Sequence, residues 1–243
     1  MPQISLRYNV DSSEMQKLSE IAHYRLYPPL TEPSYLVLSS RRRIFTLWID
    51  QLGDRSLKVL DVGGRYQPYR PLLQDKIESY VAVDVVKTEL VTVVADGQAL
   101  PFPPESFDLV IATQVFEYFS DPSLAAKQMH AVLRPGGVLL ASVSEFAPRF
   151  ADEERWRFTP LGIRTILAPF EKVEIVPEVH SVGGVLRALN VAGNTFVRYE
   201  SVRFVYRRAV CPILNLLGVG LEALHLTSND SFTSNYSVRA VKG

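Results

Sequence analysis

Between Leu57 and Val143 the chain alternates short runs of β-branched and aliphatic residues with helical stretches, each change marked by Gly, Pro or Asp. Strands spaced in this way are joined by crossover helices into a parallel sheet, so the middle of the chain is predicted to be α/β. The predicted strands cover 57–62, 80–85, 90–95, 108–113 and 138–143. Their near-continuous apolar character requires helices over both faces. Ahead of them, Leu38, Arg41, Phe45, Trp48 and Leu52 recur at three- and four-residue steps, the period of an amphipathic helix packed on the sheet. Arg41, Arg42 and Arg43 lie inside it and spread over about 200° of arc, which reads as a solvated flank rather than a phosphate clamp.

Further along, Asp121 and Pro122 have the chemistry of a helix start, Ala125, Met129, Val132 and Leu133 supply one face, and Pro135-Gly136-Gly137 stops the segment. Thr159 and Pro160 open a second helix that ends near Ala168-Pro169. Lys172 to Val179 then alternates charged and apolar residues as a one-side-exposed strand does, and the last strand is predicted at Asn235–Val241. About 50 residues separate these two strands, far more than a hairpin needs, so an insertion with its own helices is expected there. The predicted organisation is one domain over 1–243, with an N-terminal helical cap at 11–55 and a helical insertion at 181–230.

The strongest local signal is Val59-Leu60-Asp61-Val62-Gly63-Gly64-Arg65, a buried strand running into a glycine pair. Adjacent glycines let the backbone turn sharply and approach a ligand, and a helix starting after them would offer free N–H groups to a carboxylate or phosphate. A second acid, Asp84, follows 23 residues after Asp61 at a predicted strand end, where a carboxylate accepts both hydroxyls of a ribose. The dinucleotide fingerprint fails, because Arg65 and Pro68 stand where it needs glycine, and neither a P-loop nor a G-x-S-x-G elbow occurs.

VLDVGG (59–64), AVDV (82–85), the segment 93–122 and LRPGGVLLASV (133–143) together resemble the class I S-adenosylmethionine-dependent methyltransferases that act on small molecules. The resemblance implies a Rossmann-like, seven-stranded, mostly parallel sheet whose last strand is antiparallel. It also implies that Asp61, Gly63 and Gly64 shape the loop around the amino acid end of S-adenosylmethionine, that Asp84 holds the ribose, that Asp96, Gly97 and Gln98 meet the adenine, and that Gln114 faces the methionine portion. Members of this family usually carry glycine where Arg65 stands. Two readings of Arg65 follow: a partner for the cofactor carboxylate, or the mark of a fold-mate that has lost catalysis and acts as a binding or assembly subunit. WRFTPLGI (156–163) resembles members from polysaccharide and glycolipid biosynthesis, which implies an acceptor such as a sugar hydroxyl.

A hydroxyl is a poor nucleophile and benefits from a base, for which Glu117, Tyr118 and His180 are the candidates. His23, His130, His180 and His225 lack metal-ligand spacing, so no metal is expected. Lys and Arg total 26 against 26 Asp and Glu, leaving no bulk pull toward nucleic acid; the expected partner is a small molecule. A single cysteine, Cys211, and an N-terminus without a signal-peptide stretch point to the cytoplasm. The apolar run 209–221 is interrupted by Pro212 and Asn215 and is expected not to span a bilayer as a helix. With net charge +3, the segment 181–226 reads as a cover for the core, a dimer contact or a membrane-surface element.

Overall fold

The computed structural model describes residues 12–149, 151–224 and 229–243. Residues 1–11, Phe150 and 225–228, with them the first residue of the expected cap, His225 and Leu226, lie outside the described residues. The elements in chain order are α1 (Ser12–Leu26), α2 (Tyr35–Asp50), β1 (Leu57–Val62), β2 (Ile77–Asp84), β3 (Val93–Val94), β4 (Phe107–Thr113), α3 (Pro122–Val132), β5 (Leu133–Ser144), α4 (Pro160–Ile166), β6 (Lys172–Pro177), α5 (Ser181–Phe196), α6 (Glu200–Ala223) and β7 (Asn235–Val241). The seven strands form one sheet in the order β3-β2-β1-β4-β5-β7-β6. Strands β1 to β5 pair in parallel, and β7 runs antiparallel to both β5 and β6. This is the Rossmann-like architecture that the sequence resemblance implies. Chain order reverses between β1 and β4, which opens a crevice at the carboxyl ends of the strands.

Alternation along each strand sends side chains to two cores. Leu60, Val62, Val110, Ala112, Leu139 and Ala141 pack with Ala125 and Met129 of α3 and Ile163 of α4. On the other face Val59, Leu109, Ile111 and Leu140 meet Leu26 of α1 and Phe45, Trp48 and Ile49 of α2. The two predicted caps are present: Asp121 accepts from the Leu124 N–H at 3.0 Å, and Thr159 Oγ1 from the Gly162 N–H at 3.3 Å. Each satisfies a backbone donor that the first helical turn leaves open.

Four expectations need correction. The connections β1 to β2, β2 to β3 and β3 to β4 contain no α-helix. After β1 there are only two three-residue 3-10 turns, at Arg70–Leu72 and Gln74–Lys76. Left-handed backbone at Gln67 and Gln74 breaks any helix there, and the buried side chains of Tyr69 and Leu73 cover the sheet in its place. Between β3 and β4, Pro101, Pro103 and Pro104 forbid a helix. The third strand shrinks from 90–95 to Val93–Val94, because a turn closed by Val91 N–H to Thr88 O occupies its first half.

The 209–221 run is also not interrupted: α6 continues through Pro212 for 24 residues and by length and composition is long and apolar enough to cross a membrane. Pro212 takes one N–H from the helix, and the carbonyl it deprives belongs to Arg208, an exposed residue that water can reach. Buried Asn215 stays in the helix because its side chain donates to Leu30 O at 2.7 Å and Glu32 O at 2.9 Å and accepts from Asn190.

The fourth correction concerns Arg41, which is buried (4% exposed) rather than solvated. Its Nε and Nη2 donate to the two carboxylate oxygens of Glu178 at 2.7 and 2.9 Å, and Nη1 reaches the Tyr69 hydroxyl at 3.4 Å. Glu178 Oε1 also accepts from Ser142 of β5 at 2.6 Å and Ser237 of β7 at 2.9 Å. Burial of both charges is tolerable because the fork is bidentate and both carboxylate oxygens are hydrogen-bonded. A second buried polar pair lies in the sheet, where the Tyr80 hydroxyl of β2 donates to Asp61 Oδ2 of β1 at 2.6 Å. Burial, with Asp84 nearby as a further like charge, pushes the Asp61 carboxyl up to about 7 despite that hydrogen bond.

Arg41→Met leaves Glu178 charged and unpaired and is expected to cost about 3 to 5 kcal/mol in urea unfolding; a loss below about 1 kcal/mol would contradict the account of this pair. For Asp61, the raised folded value means that the native state binds its proton more tightly than the unfolded chain. This carboxyl therefore favours folding at low pH, and the benefit is lost as pH rises from about 4 to about 7. Asp61→Asn keeps an acceptor for Tyr80, so the variant should gain on wild type by on the order of a few kcal/mol across that window. Thermal unfolding at pH 4 and pH 8 measures the difference, and a difference that does not change with pH would rule out a buried, proton-retaining Asp61.

Candidate functional site

A cleft of about 990 Å³ opens at the carboxyl ends of the strands. Gly63, with φ of +79°, turns the chain out of β1, and a Cβ there would press on Val115 at 3.0 Å. At Gly64 a Cβ would come within 2.7 Å of Asp61 O, so the second glycine is required for the turn to fold back on its own strand. The N–H groups of both glycines donate to Val83 O, at 2.8 and 3.1 Å, which fastens the turn to the end of β2. No α-helix starts behind this turn, so the expected helix N-terminus is not part of the site.

Of the residues singled out in the sequence, Gly63, Arg65, Asp84, Asp96, Gly97, Gln98, Gln114, Glu117 and Tyr118 line the cleft. Asp61 and Gly64 stand behind the wall and shape it. Asp84 is buried at the end of β2. Its Oδ1 accepts from the Val86 N–H at 2.9 Å, and Oδ2 has Arg65 Nε at 3.6 Å, beyond hydrogen-bonding distance. Arg65 therefore lines the cleft beside the ribose acid that the resemblance names, with its guanidinium also over the Tyr66 ring. Asp96 follows β3, exposed, and accepts from the backbone and side-chain N–H groups of Gln98. Gln98 Oε1 is in turn held by the Ser120 hydroxyl and the Asp121 N–H, both at 2.8 Å. Gly97 is buried beneath Phe119. Acids at the ends of β2 and β3 beside a glycine turn give this half of the cleft acceptors for hydroxyl and amino groups, with Val62, Ala95 and Phe119 as apolar cover.

The other half lies at the ends of β4, β5 and β7. Gln114, in left-handed backbone, donates from Nε2 to Ser142 and accepts at Oε1 from Ser144 and Asn235. Glu117 is 2% exposed, its Oε1 accepts from the Ser144 N–H at 2.6 Å, and its Oε2 has no hydrogen-bond partner among the described residues. Burial raises its pKa above the ordinary carboxyl range, against the pull of the hydrogen bonds it accepts. Tyr118 is partly exposed, its hydroxyl donates to Glu154 at 3.2 Å, and burial with that neighbour raises it to about 12. His180, the third candidate base, is engaged elsewhere: its Nδ1 lies 2.8 Å from Glu222 of α6, and it does not line the cleft.

Sequence reasoning missed Arg41, Ser144, Arg187 and Asn235, all of which line this half. Arg41 carried a signal, since it occupies an apolar position in the helical repeat of α2, where a charge must find a buried partner. For the others the only clue was position near a strand end or in an unassigned helix.

Residues 60–141 match the family described as "Methyltransferase domain". An uncharacterized methyltransferase of Mycobacterium avium (strain 104) is 30% identical over 133 residues, which cover 54% of this chain and 51% of that protein. The rat (Rattus norvegicus) mitochondrial arginine-hydroxylase NDUFAF5 is 32% identical over 74 residues, 30% of this chain and 22% of that one, so the chain spans about half or less of these curated relatives. Among solved structures, Burkholderia thailandensis 1,6-didemethyltoxoflavin-N1-methyltransferase, with bound 1,6-didemethyltoxoflavin and S-adenosylhomocysteine, superimposes with a TM-score of 0.51 at 17% identity, over 84% of this chain and 78% of that one. Strand order, the glycine turn with its two following acids, and the methyltransferase-domain match over residues 60–141 agree with the resemblance to the class I S-adenosylmethionine-dependent methyltransferases.

Proposed function

We propose that the protein binds S-adenosylmethionine in the half of the cleft framed by β1, β2 and β3, and methylates a small-molecule acceptor held in the half framed by β4, β5 and β7. The observation that carries this reading is Asp84, buried at the end of β2 in the lining of the cleft, with one carboxylate oxygen that makes no hydrogen bond among the described residues. The residues fit the cofactor: Asp84 accepts the ribose hydroxyls, Asp96 accepts the adenine amino group, and the Gly63-Gly64 turn leaves room for the methionine end beside Gln114. The Arg65 contact is no barrier, because at 3.6 Å Nε makes no hydrogen bond to Asp84 Oδ2 and leaves that oxygen able to accept from ribose hydroxyls.

When bound, S-adenosylmethionine supplies an electrophilic methyl group on a sulfonium. The chain's part is to align the acceptor atom opposite the sulfur, exclude water, and take the acceptor's proton. Glu117 Oε2 is the atom suited to accept that proton, since a carboxylate oxygen that is buried, unpartnered and raised in pKa is a stronger base than an exposed one once ionised. Tyr118 flanks it at the cleft wall. A base of this kind matters most for a hydroxyl acceptor, and a sugar hydroxyl on a glycan or glycolipid is one such group.

The setting we propose is cytoplasmic, with the single cysteine, Cys211, buried in α6. The partner that fits the outer face of α6 is an anionic lipid surface. Val202, Val205, Ile213, Leu216, Leu217 and Val219 are exposed along one uncharged stripe. Arg198, Arg203, Arg207 and Arg208 against one acid, Glu200, cluster at its N-terminal end. Exposed apolar side chains beside such a basic cluster match a headgroup boundary in both hydrophobicity and charge.

Calorimetry with S-adenosylhomocysteine is expected to give measurable binding, weakened by about 1 to 3 kcal/mol in Asp84→Ala and Asp96→Ala. Unaltered affinity in both variants refutes the placement, and absence of binding in the wild type turns the protein into a silent fold-mate. In flotation assays the protein should rise with phosphatidylserine vesicles and not with phosphatidylcholine alone, and Ile213→Glu with Leu216→Glu should abolish the effect. Protein that stays in the dense fraction with both vesicles, or that sediments as a dimer lost in the same variant, removes the lipid partner.

A further inference from the structure

Arg187 projects from α5 into the β5–β7 half of the cleft and is 4% exposed. Its Nη1 donates to Ser234 Oγ, at 2.6 Å, and more loosely to Phe146 O, at 3.3 Å. Among the described residues Nε has no partner, Nη2 makes no hydrogen bond, and no carboxylate lies within ion-pair distance of the guanidinium. The contrast with Arg41 is direct. Arg41 uses its Nε and Nη2 edge to grip both oxygens of Glu178, whereas the same edge of Arg187 is open. A buried guanidinium normally has a carboxylate or phosphate on this fork, since a desolvated cation without a counter-charge is costly. Burial together with nearby Arg41 lowers the Arg187 pKa to about 10, and the more distant carboxylates of Glu178 and Glu32 offset this only in part.

Three further observations tie this open fork to the acceptor. The two acids of the cofactor half stand at the ends of β2 and β3, across the switch point from Arg187, so its edge does not belong to the ribose or adenine subsites. A continuous set of hydrogen bonds joins it instead to the candidate base: Ser234 Oγ donates to Asn235 Oδ1, Asn235 Nδ2 donates to Ser144 Oγ, and the Ser144 N–H donates to Glu117. Arg187 and Glu117 thus stand on one fixed wall, each with a buried polar atom left without a partner among the described residues. Glu32, another acid of the cleft, accepts from the Tyr24 hydroxyl at 2.6 Å and the Ser34 N–H at 3.0 Å, and makes no ion pair with Arg187.

From this wall we infer that the acceptor carries an anionic oxyacid group, a carboxylate or a phosphate, which docks on the Nε and Nη2 edge of Arg187 and so presents the atom to be methylated to Glu117. The inference rests on the methyl-transfer reading for the second half of that statement, while the anion subsite itself stands on Arg187 alone. It makes Arg187 the residue that selects the substrate by charge.

The test titrates the full chain, with and without saturating S-adenosylhomocysteine, against benzoate and glutarate in one arm and inorganic phosphate and phenyl phosphate in the other, with benzamide as the neutral control. Saturable binding of at least one anion and none of benzamide is expected, and the arm that binds distinguishes carboxylate from phosphate. Arg187→Gln should weaken that anion about tenfold or more with S-adenosylhomocysteine affinity unchanged. Arg187→Lys, which keeps the charge and loses the fork, should fall between the two and serves if the glutamine variant does not fold. Anion binding absent from the wild type, or equal in wild type and both variants, overturns the subsite even where S-adenosylhomocysteine binds. Loss of S-adenosylhomocysteine binding with the anion result intact overturns only the cofactor reading.

Discussion

The bidentate pair of Arg41 and Glu178 is the interaction on which the working end of the sheet depends. It joins α2, which precedes every strand, to the residue that ends the β6 edge, and through Ser142 and Ser237 it reaches β5 and β7 between them. Two charges removed from water cost far more than a typical hydrogen bond returns, so the pair is tolerable only when all four elements are in register. The pair demands one arrangement of these elements over others. The same side chain lines the cleft, so the constraint that organises the core also shapes the cleft wall.

The cleft divides into two halves that differ in how they are built. On the side of β1, β2 and β3 the wall is backbone turn and short strand, with acids at strand ends and glycines where side chains would collide. On the side of β5 and β7 the wall is a network of Gln114, Ser144, Asn235 and Ser234 that leaves one carboxylate oxygen and one guanidinium edge without partners among the described residues. The first half offers acceptors and suits a ligand rich in hydroxyl and amino donors. The second offers an acid and a cation, and suits a ligand with complementary charge.

Much of the first half was legible in the amino-acid sequence because its determinants are local. Gly63-Gly64 and the acids at 84 and 96 sit within a few residues of strand ends that apolar runs announce, and the caps at Asp121 and Thr159 are written in four-residue motifs. The second half depends on partners far apart in the chain, such as Arg41 with Glu178, 137 residues apart, and Gln114 with Asn235, 121 apart, and no local pattern encodes such pairs. Arg41 was misread because three adjacent arginines look like one solvated patch, although only one of them falls on the apolar stripe of the helix. The missing crossover helices were misjudged for a related reason. Periodicity predicts that sheet faces are covered, but here buried Tyr69 and Leu73 in an irregular connection provide cover that a helix usually supplies.

Asn215 has a mechanical consequence. One amide, set within the outward-facing α6, grips the carbonyls of Leu30 and Glu32 in the link between α1 and α2, and Glu32 is also part of the cleft rim. Outer helix and cleft lining are therefore joined through Asn215 as well as through the packing of Leu214 and Leu221 against the cluster that contains Leu36. Steadying the helix from outside would thus also steady the link that carries Glu32, since both share these hydrogen bonds.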